Sequence, residues 1–378
     1  MRPTGRIFVL CIQPVESIAT QPPYHADKGL GDREKQILGL VVRSFIDKAG
    51  PVGSRSLARQ YGLHLSPATV RNTMSDLELL GYLRQPYTSA GRMPTQLGYR
   101  AFVDDLGEAK ELSSLEKKLL RAKLDRLMSD TDDLFNASTL LLSRMSNLLA
   151  VVLSPKLSTG VLERLDVVPL SSPNVMIVIS VRSRMVKTII YQTEVDVKRR
   201  DLDRIVSILN ERLAGLRLDE IRRTYASRTR DIEDDSTGIV QLILHESATL
   251  FGDVEAGRVN HSGTHELLRQ PEFQNARNVQ QLIKVIEDKG FVVKLFEQAQ
   301  SVIGQAVVSI GSELQDESAS GYSTVTARYQ IGETTGMVGL LGPMRMDYER
   351  AIGLVETMAS LLNQPAVRLM QSEIKSHG

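Results

Sequence analysis

The sequence predicts an α+β protein with an N-terminal winged helix-turn-helix. Two observations carry this. Residues 32–106 show three short helical periods followed by a strand-like run and a turn-rich loop. Residues 154–370 show two strand-rich clusters with a mostly helical block between them. The bulk composition fits: 42% of the 378 residues are apolar and 24% charged, enough for two or three folded domains.

The elements follow in order. Residues 1–30 contain Pro3, Pro14, Pro22, Pro23, Gly5 and Gly29 without periodicity, and are expected to form a disordered leader. The apolar run Ile7–Ile12 within it is too short for a signal-peptide core. Ile37, Leu38, Val41, Val42, Phe45 and Ile46 then share one helix face, ended by Gly50-Pro51. Ser54 is expected to cap a second short helix, which Gly62 stops. Ser66-Pro67 places a capping residue before a proline at the first helical position, opening a third helix to Leu80. Tyr82–Gln85 is strand-like, Pro86–Gly91 is turn-rich, and another helix runs from Pro94-Thr95 to about Leu106. This order defines an expected winged-helix domain at 31–106. A small helical domain with an irregular loop has the same local pattern.

Residues 107–153 are expected to form a helical connector that helps to pair subunits, with a Ser113-x-x-Glu116 capping box and a closing helix at Leu140–Leu153. Strands are expected at Val161–Val168, Val175–Val181 and Val186–Tyr191. The second, apolar at every position from Val175 to Ile179, is expected to be central. A helix follows at Leu202–Leu213, then a mostly helical stretch broken around Gly252–Gly263. Strands return at Ala306–Ile310, Thr324–Ile331 and Met337–Leu341, and a helix at Asp347–Leu362 closes the pattern. Strands on either side of a helical block suggest one α+β domain in two segments, 154–216 and 276–370, with an insertion at 217–275.

The third helix carries the candidate chemistry. Val70, Met74, Leu77 and Leu80 share its apolar face. Ala68, Asn72 and Ser75 lie opposite, flanked by Thr69 and Arg71. In a helix-turn-helix this part of the second helix meets base edges in the major groove. Arg71 suits guanine, Asn72 suits adenine, and the methyl groups of Ala68 and Thr69 suit thymine; Ser75 and the capping Ser66 complete the set. A helix with a small polar solvated face is the plainer alternative. From Leu79 to Val103 there are three arginines, Arg84, Arg92 and Arg100, and no Asp or Glu. Arg84, Tyr87, Thr88 and Arg92 are the expected backbone contacts of the loop, and Ser54 and Arg55 those of the second helix.

Leu65-Ser66-Pro67-Ala68-Thr69-Val70-Arg71-Asn72, Asp76–Leu83, Gln85–Thr95 and Gly98-Tyr99-Arg100 closely resemble the heat-inducible transcription repressor HrcA family. The resemblance continues at Leu267–Phe273 and at Gly342-Pro343-Met344-Arg345-Met346-Asp347-Tyr348, and spans about residues 32–370. Met93 stands where the family usually has Ile or Val. The resemblance implies a winged helix, a GAF-like domain in the two segments above, and an inserted dimerisation domain. It also implies repression of chaperonin-type operons through an inverted-repeat operator named CIRCE, with activity tuned by the GroE chaperonin. An inverted repeat asks for two recognition helices about a two-fold axis, hence a homodimer on double-stranded DNA.

Other functions find little support. Cys11 is the only cysteine, which excludes an internal disulfide and a cysteine-based zinc site and suits a reducing cytoplasm. No run of 18 apolar residues exists, so no membrane partner is expected. The net charge is +1, so any DNA affinity must be local. His261 and His265 are four apart, but residues 257–264 read as a loop and no carboxylate completes a metal motif. Gly332, Gly336, Gly339 and Gly342 lack dinucleotide-binding spacing and suit turns and close strand packing. Asp347 is expected to cap the final helix and Arg345 to pair with a carboxylate. No enzyme activity, catalytic residue, cofactor or metal is expected. Two readings stay open beside the repressor: a metabolite sensor in the GAF-like domain, and an enzyme with a DNA-binding appendage.

Overall fold

The structure, a computed structural model, describes residues 29–62, 65–107, 112–124, 131–170, 174–182, 186–192, 199–232, 235–253, 259–299 and 301–363. The expected leader up to residue 28, residues 171–173 and 183–185 between the expected strands, and the expected end of the second segment at 364–370 lie outside the described residues.

The chain begins with α1 (Asp32–Lys48), α2 (Ser54–Gln60) and α3 (Pro67–Leu79), then the two-residue strands β1 (Leu83–Arg84) and β2 (Met93–Pro94), then α4 (Gln96–Asp104). The apolar periods fold as expected: Ile37, Leu38, Val41, Val42, Leu57, Val70, Met74 and Leu77 are buried together. β1 and β2 pair antiparallel, and Val52 adds a third rung by exchanging both backbone hydrogen bonds with Arg92 at 2.9 Å. Ser54 does not cap α2. It is the first helical residue, Gly53 occupies the cap, and the hydroxyl of Ser56 donates to the Gly53 carbonyl.

α5 (Ser114–Leu124) opens with the expected capping box. The Ser113 N–H and hydroxyl donate to Glu116 at 3.0 and 2.8 Å, and the Glu116 N–H returns to the Ser113 oxygen. α6 (Thr131–Ser146) follows, but the expected helix to Leu153 stops short. Asn147 adopts a left-handed conformation with φ 56°, and Leu149–Leu153 becomes strand β3. Its two adjacent valines suit a buried strand better than a helix.

β4 (Leu162–Pro169), β5 (Asn174–Val181) and β6 (Val186–Gln192) form a separate antiparallel sheet with β5 in the middle. The central place of β5 matches its apolar run, although only alternate residues are fully buried. α7 (Arg199–Leu213), α8 (Leu218–Arg228), α9 (Ile239–His245) and α10 (Ser247–Phe251) complete a core of their own with this sheet. The second sheet takes β7 (Val259–Ser262), β8 (Ala306–Ile310), β9 (Tyr322–Ile331) and β10 (Thr334–Pro343), ordered β7-β3-β10-β9-β8. Between β7 and β8 lie α11 (Thr264–Leu268), α12 (Ala276–Glu287) and α13 (Lys289–Glu297), and α14 (Tyr348–Asn363) packs on β9 and β10.

This corrects the expected grouping. The strands at 162–192 do not join those at 306–343: they share neither hydrogen bonds nor core. The strand that joins the late cluster is β3, which was expected to be the end of a connector helix. The residues 257–264 expected as loop contain edge strand β7, where His261 pairs with Val151. Period and propensity identify strands locally, while sheet membership depends on long-range pairing.

Candidate nucleic-acid interface

Two elements frame the site. α3 turns its apolar face inward and leaves Ala68, Arg71 and Asn72 exposed, with Thr69 and Ser75 half-buried at the margins. Ser66 caps it: the Thr69 N–H donates to the Ser66 oxygen at 3.1 Å, and the two hydroxyls lie 2.9 Å apart. The free end of α3 therefore has its first polar groups organised before any ligand arrives.

The loop from Gln85 to Arg92 stands beside this helix. The Gln85 amide donates to the Thr88 and Ala90 carbonyls at 2.8 and 2.9 Å, and the Ala90 N–H donates to the Tyr87 carbonyl at 2.8 Å. These bonds hold the tip closed and leave Tyr87 64% exposed. Helix and loop bound an open groove of about 520 Å³, lined by Ser54, Arg71, Thr88 and Arg92 with Gln85 and Gly91. Four expected contacts thus converge on one groove. Arg55, Ala68, Asn72, Arg84 and Tyr87 are exposed outside its lining; Ser66 is also exposed.

Gly91 is what lets the loop lie this close. A Cβ there would sit 2.3 Å from the Val52 carbonyl oxygen. Two arginines of the expected basic loop are otherwise engaged. Arg92 pairs with Glu78 of α3 at 2.7 Å and its side chain is only 16% exposed, so it ties loop to helix. Arg100 points away, toward Glu313 and Asp104. The missing Asp and Glu from 79 to 103 are supplied by Glu78 and Asp104, each one residue outside that window, and by Glu313 in the turn after β8. Gln85 was not among the expected site residues. Its place before Pro86 and the turn residues was the available signal.

The N-terminal unit is also fastened from behind. Arg43 pairs with Glu349 at 2.6 Å, Arg100 forks onto Glu313, and Arg345 joins Glu272 at 2.6 Å while donating to the Ile46 carbonyl. Asp347 accepts from the Arg350 N–H, the expected cap of α14.

The family model for the HrcA protein C-terminal domain matches residues 132–352, more than half of the chain. The heat-inducible transcription repressor HrcA of Chlorobium chlorochromatii (strain CaD3) is 42% identical over 335 residues, 88% of this chain and 96% of that protein.

The chain belongs to the HrcA family of heat-inducible transcription repressors.

The HrcA of Chlorobium phaeobacteroides (strain BS1) is 39% identical over 346 residues, covering 88% of this chain and 97% of its own length. A solved structure described only as a hypothetical protein matches with TM-score 0.59 at 22% identity, over 90% of this chain and 99% of that one. That match shows a shared fold. HrcA proteins are regulators and not enzymes, and a repressor implies DNA as partner. Among the described residues no helix is long and apolar enough to cross a membrane.

Proposed function

We propose that this HrcA-family chain represses chaperonin-type heat-shock operons in the cytoplasm by binding a CIRCE inverted repeat as a homodimer. One observation carries the reading: the exposed face of α3 and the braced loop 85–92 bound a single groove containing Arg71. In this reading α1–α4 with β1 and β2 are a winged helix. α3 enters the major groove, with Arg71, Asn72, Ala68, Thr69 and Ser75 toward base edges. Ser54, Arg55, Ser66, Arg84, Tyr87 and Thr88 meet the phosphate backbone. The sheet of β3 and β7–β10 is the GAF-like domain, and the sheet of β4–β6 with α7–α10 is the inserted dimerisation domain. GroE tunes activity by maintaining the folded repressor.

A gel-shift titration on a CIRCE-type inverted repeat, with a scrambled repeat as control at stated salt, tests the reading. Preference for the intact repeat supports it. Equal affinity for both duplexes by folded protein removes it.

A further inference from the structure

We propose that Arg345 is a positioning residue for DNA binding, the clamp that sets the angle of the winged helix against the sheet domain. The inference rests on the homodimer-and-operator reading above.

The guanidinium of Arg345 joins three segments that are distant in sequence. Nε donates to Glu272 Oε1 at 2.6 Å, and Nη2 to Glu272 Oε2 at 3.2 Å and to Gln270 Oε1 at 2.8 Å. Nη1 donates to the Ile46 carbonyl at 2.6 Å, across 299 positions of sequence. The side chain is 10% exposed, so its charge requires these partners. Ile46 lies in the last turn of α1, where carbonyls lack helical partners and carry partial negative charge. Arg345 therefore caps α1 with a charge already held by the sheet domain.

The guanidinium is suited to this in a way an ammonium is not. Its planar fork directs separate donors to Glu272, Gln270 and Ile46 at once, whereas a lysine offers a single point charge. The node forms only when the 270–272 segment, the turn before α14 and α1 are all in place. α1 packs against α3, so a fixed α1 fixes the reading helix. The winged helix and the sheet domain also share one continuous apolar core, while the β4–β6 domain keeps its own. The motifs at 267–273 and 342–348, distant from the groove, meet at this node.

Angle matters most where two reading helices must reach two half-sites together, because the gain from the second contact is lost when geometry forbids it. A single half-site places no such demand. The test uses the full chain with Arg345→Lys, and separately with Arg345→Gln combined with Glu272→Gln, which leaves no orphaned carboxylate. Thermal melts verify folding. Both variants are expected to bind the two-site inverted repeat about tenfold more weakly while binding an isolated half-site as the parent does. Their preference for the natural half-site spacing over one altered by half a helical turn should flatten. Unchanged two-site binding, or equal loss on both duplexes, overturns the proposal. Spin labels at Arg59→Cys and Gln280→Cys, in a Cys11→Ser background, read the angle without DNA. A broader distance distribution in both variants is expected, and one as narrow as the parent's overturns the clamp. If the parent itself shows no preference for two sites over one, the operator reading fails, and the spin-label distances still decide whether Arg345 holds the angle.

Discussion

Glu78 and Arg92 form an ion pair of 2.7 Å between the last turn of α3 and the base of the loop beside it. The pair lies next to the Val52–Arg92 backbone bridge, so the loop is held at one point by both main chain and side chain. It also divides the arginines near the groove into two kinds. Arg92 is spent on structure, and Arg71 stays exposed.

Glu78→Gln should free the loop without touching the exposed face of α3. With Arg92 mostly covered, losing its partner should cost about 1–2 kcal/mol of stability, between the range for surface pairs and that for buried ones. Affinity for operator and random duplex should fall together, because in the proposed reading the loop meets phosphates. Urea melts and gel shifts on both duplexes measure this. A loss confined to the operator would mean that Glu78 or Arg92 takes part in base reading.

Arg71→Ala should act in the opposite way. In the proposed reading this exposed arginine on the groove side of α3 makes a bidentate guanine contact, worth about 1–3 kcal/mol of discrimination. Operator affinity should drop by that amount while random-duplex binding changes little. Equal losses would reassign Arg71 to the phosphate backbone. Stability should stay near the parent's, since among the described residues the Arg71 side chain is exposed and makes no hydrogen bond or ion pair.

Much of this was legible in the residues. Helix periods, the Ser66-Pro67 start, the Ser113–Glu116 box and the Asp347 cap are local signals, and local geometry honours them. The errors arose where distance in sequence decides. Leu149–Leu153 is a strand because β10 and β7 pair with it on either side, and neither is visible from the apolar run itself. The strands at 162–192 and those at 306–343 are both rich in β-branched residues and flank a helical block, so pattern alone placed them together. Arg92 and Arg100 appeared free because their carboxylates, Glu78 for the first and Glu313 and Asp104 for the second, lie outside residues 79–103.

Gly91→Ala should destabilise the N-terminal unit of α1–α4 by about 1–3 kcal/mol, the usual cost of forcing a methyl into a filled space. The added carbon would sit 2.3 Å from the Val52 oxygen and 2.8 Å from the Val52 nitrogen, both main-chain atoms that cannot rotate away. The loop must then separate from Val52, breaking the two bonds that hold Arg92. Hydrogen exchange at the Val52 and Arg92 amides should speed up together. Unchanged protection at both would show that the loop accommodates the methyl without leaving Val52.

Glu116→Gln should flatten the acid limb of the stability curve. Hydrogen bonds from the Ser113 hydroxyl and N–H, with a smaller contribution from Arg350, hold the Glu116 carboxyl below its ordinary range. A carboxylate with a folded pKa below its unfolded one contributes stability that is fully present above the unfolded value. That contribution is lost as pH falls through the folded value, because the unfolded chain takes up its proton first. The window therefore opens near the unfolded pKa of about 4.3 and extends downward. Glutamine keeps an acceptor for the Ser113 N–H but has no proton to gain. Parent and variant melting temperatures should thus differ most near neutrality and converge on acidification. A constant difference across the window would mean that the box stabilises α5 through geometry alone, with no dependence on the charge of Glu116.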